Sequence, residues 1–216
     1  TLAPVPGAIH NTGAKPLLVE ITENLTIDVD DLAAKAPGAS FLMLSHMRGH
    51  IADMDRIIEI CEQNKLTLIE DCAHTLGAWW GEKQSGNFGE VSCFSTQSYK
   101  HLNSGEGGLL VTDNPQVIAR AILLSGSYML YDRHLTAPDE EVFSDLKLTT
   151  PNYSSRMDNM RAAALRPQLP HLDTNCARWN ERYDVVAAGL QAIPQVRLPS
   201  RPRQERYVGS SIQFFL

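Results

Sequence analysis

Two short apolar runs separated by one amphipathic segment constrain this chain more than any other feature of it. Phe41 to Ser45 (FLMLS) and Leu66 to Glu70 (LTLIE) are five-residue runs suited to strands buried on both faces. Between them Met54, Ile57, Ile58 and Cys61 recur at three- and four-residue steps, the period of a helix with one apolar face. Asp53 and Asp55 stand near its start, where negative charge suits the helix dipole. Strand, helix and parallel strand joined by short links make a βαβ unit, whose crossover is right-handed. The pattern predicts an α/β fold with a mostly parallel sheet and flanking helices.

Other elements follow from the same signals. Leu17 to Glu20 (LLVE), Val91 to Ser95 and Gly108 to Thr112 read as further short strands. A Gly-rich stretch, Gly77 to Gly89, carries Trp79 and Trp80 as core or interface residues. Pro115 opens a helix reaching about Leu124, because proline lacks only an N–H that a first turn leaves unpaired. Residues 127–150 show no steady period and read as a long excursion. Arg156 to Leu190 reads as a long helix or helix pair interrupted at Pro167 and Pro170. Pro194, Pro199 and Pro202 mark a linker, and Ser211 to Leu216 reads as a strand. The expected domains are residues 1–155, a large domain lacking its N-terminal part; 156–193, the connecting helices; and 194–216, the linker and the start of a small domain. Both ends of the chain are expected to be cuts.

Composition narrows the function. With 43% hydrophobic and 20% charged residues the chain can bury a core. Lys plus Arg number 19 against 25 Asp plus Glu, so no general basic field points to nucleic acid. No apolar run approaches the ~20 residues that span a bilayer. Cys61, Cys72, Cys93 and Cys176 share no CxxC spacing and read as reduced thiols of a cytoplasmic protein, with Cys72 and Cys93 expected to pack inside. His46, His50 and His74 lack a coherent metal-ligand spacing, so no metal site is expected. The arginines from Arg156 to Arg203 read as solvated helix and linker charge.

In open α/β sheets ligands lie beyond the carboxyl ends of the strands. There the sequence places Asp71-Cys72-Ala73-His74, then Ser95-Thr96-Gln97-Ser98-Tyr99-Lys100-His101, then Asn103 to Gly108 (NSGEGG). The GEGG turn has no GK[ST] and is no Walker loop; its glycines suit a tight turn. Lys100 is one of only six lysines, and it follows a run of hydroxyls suited to phosphate oxygens. A Schiff-base lysine, hydroxyls on a phosphate and an Asp against a pyridinium nitrogen together make a pyridoxal-phosphate site. Taken singly, Asp71 suits a helix N-cap, His74 a packed histidine and Ser95 a turn.

The segments HMRGHIADMD (46–55), EDCAHTLGA (70–78) and FSTQSYKHLNSGEGG (94–108) resemble the DegT-type sugar-nucleotide aminotransferases. These are pyridoxal-phosphate enzymes of the aspartate-aminotransferase fold type, fold type I. The likeness extends more loosely from Gly13-Ala14-Lys15-Pro16 to Gln168-Leu169. It implies that Lys100 carries the cofactor and shuttles a proton, that Asp71 faces the pyridine nitrogen, that His74 lies near the ring and that Ser95 holds the phosphate. It further implies L-glutamate as amino donor, a nucleotide-linked keto sugar as acceptor, and a homodimer that completes each site. The family's Gly-Ser/Thr phosphate loop is expected to precede Thr1. Leu2 stands where the family usually has a stacking aromatic, and Ser154 stands where it has an Asn lent by the partner, with Asn152 close by. These departures leave open an incomplete or non-catalytic member acting as a binding or regulatory partner. A related dehydratase would carry His in place of Lys100.

Overall fold

The computed structural model describes residues 4–126 and 130–216, with the side chain of Asp132 left aside. Leu2 lies outside the described residues. Two helices come first, α1 (Pro4–Asn11) and α2 (Val29–Lys35). The βαβ unit then appears as expected: β1 (Phe41–Ser45), α3 (Met54–Asn64) and β2 (Thr67–Asp71). β1 and β2 pair in parallel with Phe41 opposite Thr67 and Ser45 opposite Asp71. The helix starts where Asp53 accepts from the Arg56 N–H at 3.2 Å, and ends at Lys65 in a left-handed conformation. It buries Met54, Ile57, Ile60 and Cys61; Ile60 takes the fully buried place that the sequence pattern gives to Ile58.

Two small strands, β3 (Trp79–Trp80) and β4 (Lys83–Gln84), precede β5 (Val91–Ser95) and β6 (Gly108–Val111). The main sheet has the order β1-β2-β5-β6, its first two pairings parallel and its last antiparallel. Beyond it lie α4 (Pro115–Ser125), α5 (Glu140–Thr149), α6 (Asn159–Leu165), α7 (Leu172–Gln191) and β7 (Glu205–Arg206), which joins β3. Leu42, Leu44, Ile57, Leu68, Ala78 and Trp80 form the core under the sheet. A second cluster joins α4 to α5, where Tyr131 stacks on Phe143 at 4.4 Å.

Several expectations are corrected. Residues 17–20 are not a strand: the Glu20 N–H goes to Asp31 Oδ2 and the Glu20 carbonyl takes the Asp28 N–H, so no ladder forms. The expected excursion over 127–150 contains helix α5, which buries Phe143 and Leu146 against α4. Ser211 to Leu216 makes only an isolated bridge, Arg197 with Phe215, while the linker supplies β7 instead. Cys93 is exposed, because alternate residues of a strand face opposite ways and Ser92 and Phe94 take the inside. Arg201 is not solvated linker charge. Its side chain is 14% exposed, paired with Glu205 at 3.0 Å and lying 3.5 Å from the centre of the Tyr207 ring.

Candidate active site

Parallel register lines up the carboxyl ends of the strands, and with them the polar residues that close each one. Ser45 lies opposite Asp71, and its hydroxyl donates to Asp71 Oδ2 at 2.9 Å. Asp71 Oδ1 accepts the Ala73 N–H at 3.2 Å. The carboxylate is thereby fixed by two donors, yet it caps no helix. Ser95 closes β5; its Oγ accepts the Gln97 N–H at 3.3 Å, and among the described residues its own O–H has no acceptor.

Lys100 sits on the long β5–β6 connection, which folds back on itself. Thr96 N–H donates to Gly107 O, Ser98 N–H to Gly105 O, and the Thr96 and Ser104 hydroxyls meet at 2.9 Å. Gly107 has φ +144, and a Cβ there would lie 2.8 Å from Thr96 Oγ1, so only glycine lets the two limbs close. On this platform Lys100 Nζ reaches His74 Nε2 at 3.1 Å.

The electrostatics of the pair are asymmetric. Burial, with the charges of Lys100 and Arg48, pushes His74 down to about 4, against a weaker pull from Asp71. His74 is therefore a neutral imidazole near pH 7, and its Nε2 accepts from Lys100. Lys100 is itself held below the ordinary lysine range, chiefly by burial and further by Arg48, although Asp71 acts the other way. His101 is also lowered, mainly by burial; it bonds the Leu76 carbonyl through Nδ1 at 2.7 Å and Ser210 Oγ through Nε2 at 3.0 Å.

The structure thus brings Asp71, His74 and Lys100 together, with Ser95 at the neighbouring strand end. Sequence reasoning missed Ser45, although it closes β1 as Asp71 closes β2, and the same rule would have found it. It also missed Arg48, an exposed residue that occupies a 3-10 turn (Met47–Gly49) with φ 59. At Ser154, also left-handed at φ 51, the N–H donates to Asn152 Oδ1 at 2.8 Å. That bond ties up the oxygen of the one nearby Asn.

A second carboxylate–histidine pair lies one residue away and faces inward. Glu70 is fully buried and accepts from the N–H groups of Gly86, Phe88 and Gly89, from Ser92 Oγ and from His46 Nε2 at 3.1 Å. Burial alone would raise its pKa, but His46 and these backbone donors outweigh it and hold it below the usual range. Cys72 lies 3.9 Å from Glu70 Oε2, and burial with that negative charge pushes its thiol up to about 12. His46, Glu70 and Cys72 are close enough to share a cation, but the five donors on Glu70 and the protonated thiol already occupy the carboxylate, while the buried His46 Nδ1 has no partner among the described residues.

Residues 3–216 match the DegT/DnrJ/EryC1/StrS aminotransferase family. The chain is similar to GDP-perosamine synthase of Escherichia coli O157:H7, 30% identical over 196 residues, covering 90% of this chain and 51% of that protein. It is also similar to dTDP-3-amino-3,4,6-trideoxy-alpha-D-glucose transaminase of Streptomyces venezuelae, 33% identical over 201 residues, with 89% and 48% covered. Among solved structures, S. venezuelae DesV matches with a TM-score of 0.80 and 31% identity, covering 99% of this chain and 55% of that one. The chain spans about half the length of the curated relatives it matches.

Proposed function

Since this chain belongs to the DegT/DnrJ/EryC1/StrS aminotransferase family, we propose that the protein moves an amino group from an amino acid, L-glutamate in the first instance, onto a keto sugar carried by a nucleotide. Membership implies pyridoxal phosphate as the cofactor. The donor set fits it: a fixed carboxylate, a neutral imidazole, a lysine of lowered basicity and a hydroxyl with its hydrogen to spare stand together at the strand ends. When bound, the cofactor supplies a covalent anchor for an amine and an electron sink.

Each residue then has a task. Lys100 would hold the cofactor through Nζ, and burial raises the neutral fraction of that amine able to do so. The same nitrogen, held over the site by His74, later takes and returns the proton at the substrate carbon. Asp71, pinned by Ser45 and Ala73, would face the ring nitrogen, where a carboxylate would favour the protonated form of that nitrogen. Ser95 would donate to a phosphate oxygen. The keto-sugar assignment draws on the relatives named for GDP- and dTDP-linked sugars. Two relatives from Micromonospora echinospora are named for L-glutamine as donor and an inosose as acceptor, so glutamine is the competing donor. A homodimer completes the proposal, two-fold dimers being the commonest assembly.

The observation that carries this reading is the 3.1 Å contact of Lys100 Nζ with a neutral His74 beside Asp71. Adding pyridoxal phosphate to the protein should produce a visible absorbance band, and borohydride should fix the cofactor on the peptide containing Lys100. Absence of the band, or labelling at another lysine, overturns it. Glutamate and glutamine are then compared as donors by the rate at which each bleaches the band.

A further inference from the structure

Lys100 is anchored on both sides of its own peptide. Its N–H donates to the Gln97 carbonyl at 2.9 Å. On the other side the half-buried His101 ring lies between two partners, the Leu76 carbonyl 2.7 Å from Nδ1 and Ser210 Oγ 3.0 Å from Nε2. A carbonyl only accepts, so Nδ1 carries the hydrogen, and in the neutral ring Nε2 accepts from the Ser210 hydroxyl. Leu76 stands two residues beyond His74. Segments 74–76 and 100–101 are therefore joined twice, by Lys100 with His74 and by His101 with Leu76. Ser210 is held in turn by α7: Asn180 Nδ2 donates to the Tyr207 carbonyl at 3.0 Å, and its Oδ1 accepts the Gly209 N–H at 2.7 Å. Gly209 packs so closely that a Cβ there would lie 2.5 Å from Tyr183 Cβ.

We propose that His101 is a positioning residue for Lys100, with its ring fixed by Ser210. The proposal rests on the function proposed above, in which one amine must hold a cofactor and move a proton at a single place. A lysine is a flexible four-carbon stem, and its 3.1 Å contact with His74 does not hold its own backbone still. A rigid imidazole bonded through both nitrogens does. Placement matters because an error of about 1 Å in a reacting group costs on the order of 10²-fold in rate.

The test reads the lysine without cofactor. Trace acetic anhydride acylates neutral amines, and peptide mapping gives a pH profile for each of the six lysines, the other five reporting on the fold as a whole. The charged and titratable groups around Lys100 are Asp71, His74, Arg48 and His101, with Arg178 and Arg182 on the cavity that α7 shares with it. Only His101 is changed. His101→Leu should shift the Lys100 profile alone to higher pH, because an amine released from its buried place regains solvent. Labelling of Lys100 by pyridoxal phosphate and borohydride at pH 7 should slow about tenfold. An asparagine amide reaches the place of Nδ1, so His101→Asn should behave nearly as wild type. A glutamine amide reaches the place of Nε2 instead, so His101→Gln should behave as His101→Leu. Ser210→Ala deletes one half-buried hydroxyl and should shift the profile the same way by less. A Lys100 profile unmoved in His101→Leu, or moved together with the other five, overturns the proposal. Equal profiles in the Asn and Gln variants overturn it too, and that pair decides the matter even if His101→Leu does not fold. A wild-type Lys100 that takes no pyridoxal phosphate, while its anhydride profile still depends on His101, would remove the proposed function and leave the positioning role standing.

Discussion

Glu70 and Asp71 are adjacent in sequence, each stands near a histidine, and they do opposite work. Because side chains alternate along β2, Glu70 points into the protein and Asp71 out to the strand ends. Glu70 meets five donors and ties the loop at Gly86–Gly89 and the end of β1 to the sheet. Asp71 meets two donors and keeps the rest of its hydrogen-bonding capacity for something that enters. The histidines divide in the same way, His46 sealed at 2% exposure and His74 reachable and neutral beside Lys100. One carboxylate is spent on structure; the other stands open at the strand ends, available for the role proposed for it.

The sharpest way to break this contrast is Lys100→Ala, which should abolish borohydride labelling and transamination while leaving the denaturation midpoint in place. Residual turnover would return the chain to the binding or regulatory alternative. Next in size, Glu70→Ala should destabilise the fold by about 3–5 kcal/mol, since it orphans three backbone N–H groups and His46. Asp71→Asn should instead unfold at nearly the same urea concentration yet lower kcat roughly 10²–10³-fold, as for removal of a preorganised electrostatic group. If the two variants gave the same pattern, the division of labour would be wrong.

The pH dependence sharpens the comparison further. The folded pKa of Glu70 lies below its unfolded value, so its contribution to stability is present above the ordinary carboxylate range and is lost as pH falls through the lowered value. Acid denaturation curves of the wild type and Glu70→Gln should converge there. His74 at about 4 stays neutral from pH 5 to 8, so no step near 6.5 in kcat should belong to it. The smallest effect is expected for Arg48→Gln. Removing that positive charge should raise the Lys100 pKa and move the alkaline-favoured limb of cofactor binding to higher pH, only slightly because burial is the larger cause of the depression.

Much of this was legible in the sequence, and for definite reasons. The β1–α3–β2 unit was readable because its apolar residues recur at the periods of strand and helix, and Asp53 marked the helix start. Asp71, His74, Ser95 and Lys100 were readable because each follows a strand that could be counted. The helix α5 was missed, although Asp139, Glu140 and Glu141 are a start signal, because only Phe143 and Leu146 are fully buried on it. The apolar runs at 17–20 and 211–216 misled because a strand requires a neighbouring backbone, which local sequence does not supply.

What the sequence determined by itself was therefore local: the periods, the caps and the order in which polar residues follow strands. Tertiary structure alone decided which of two neighbouring carboxylates is sealed, since that depends on the loop that returns from residue 86 to meet it. It alone placed His74 against Lys100 across 26 positions of chain, where burial strips the proton from the imidazole. And it brought Ser210 to His101 across 109 positions of chain, because only the hold of α7 on residues 207–209 carries a hydroxyl there.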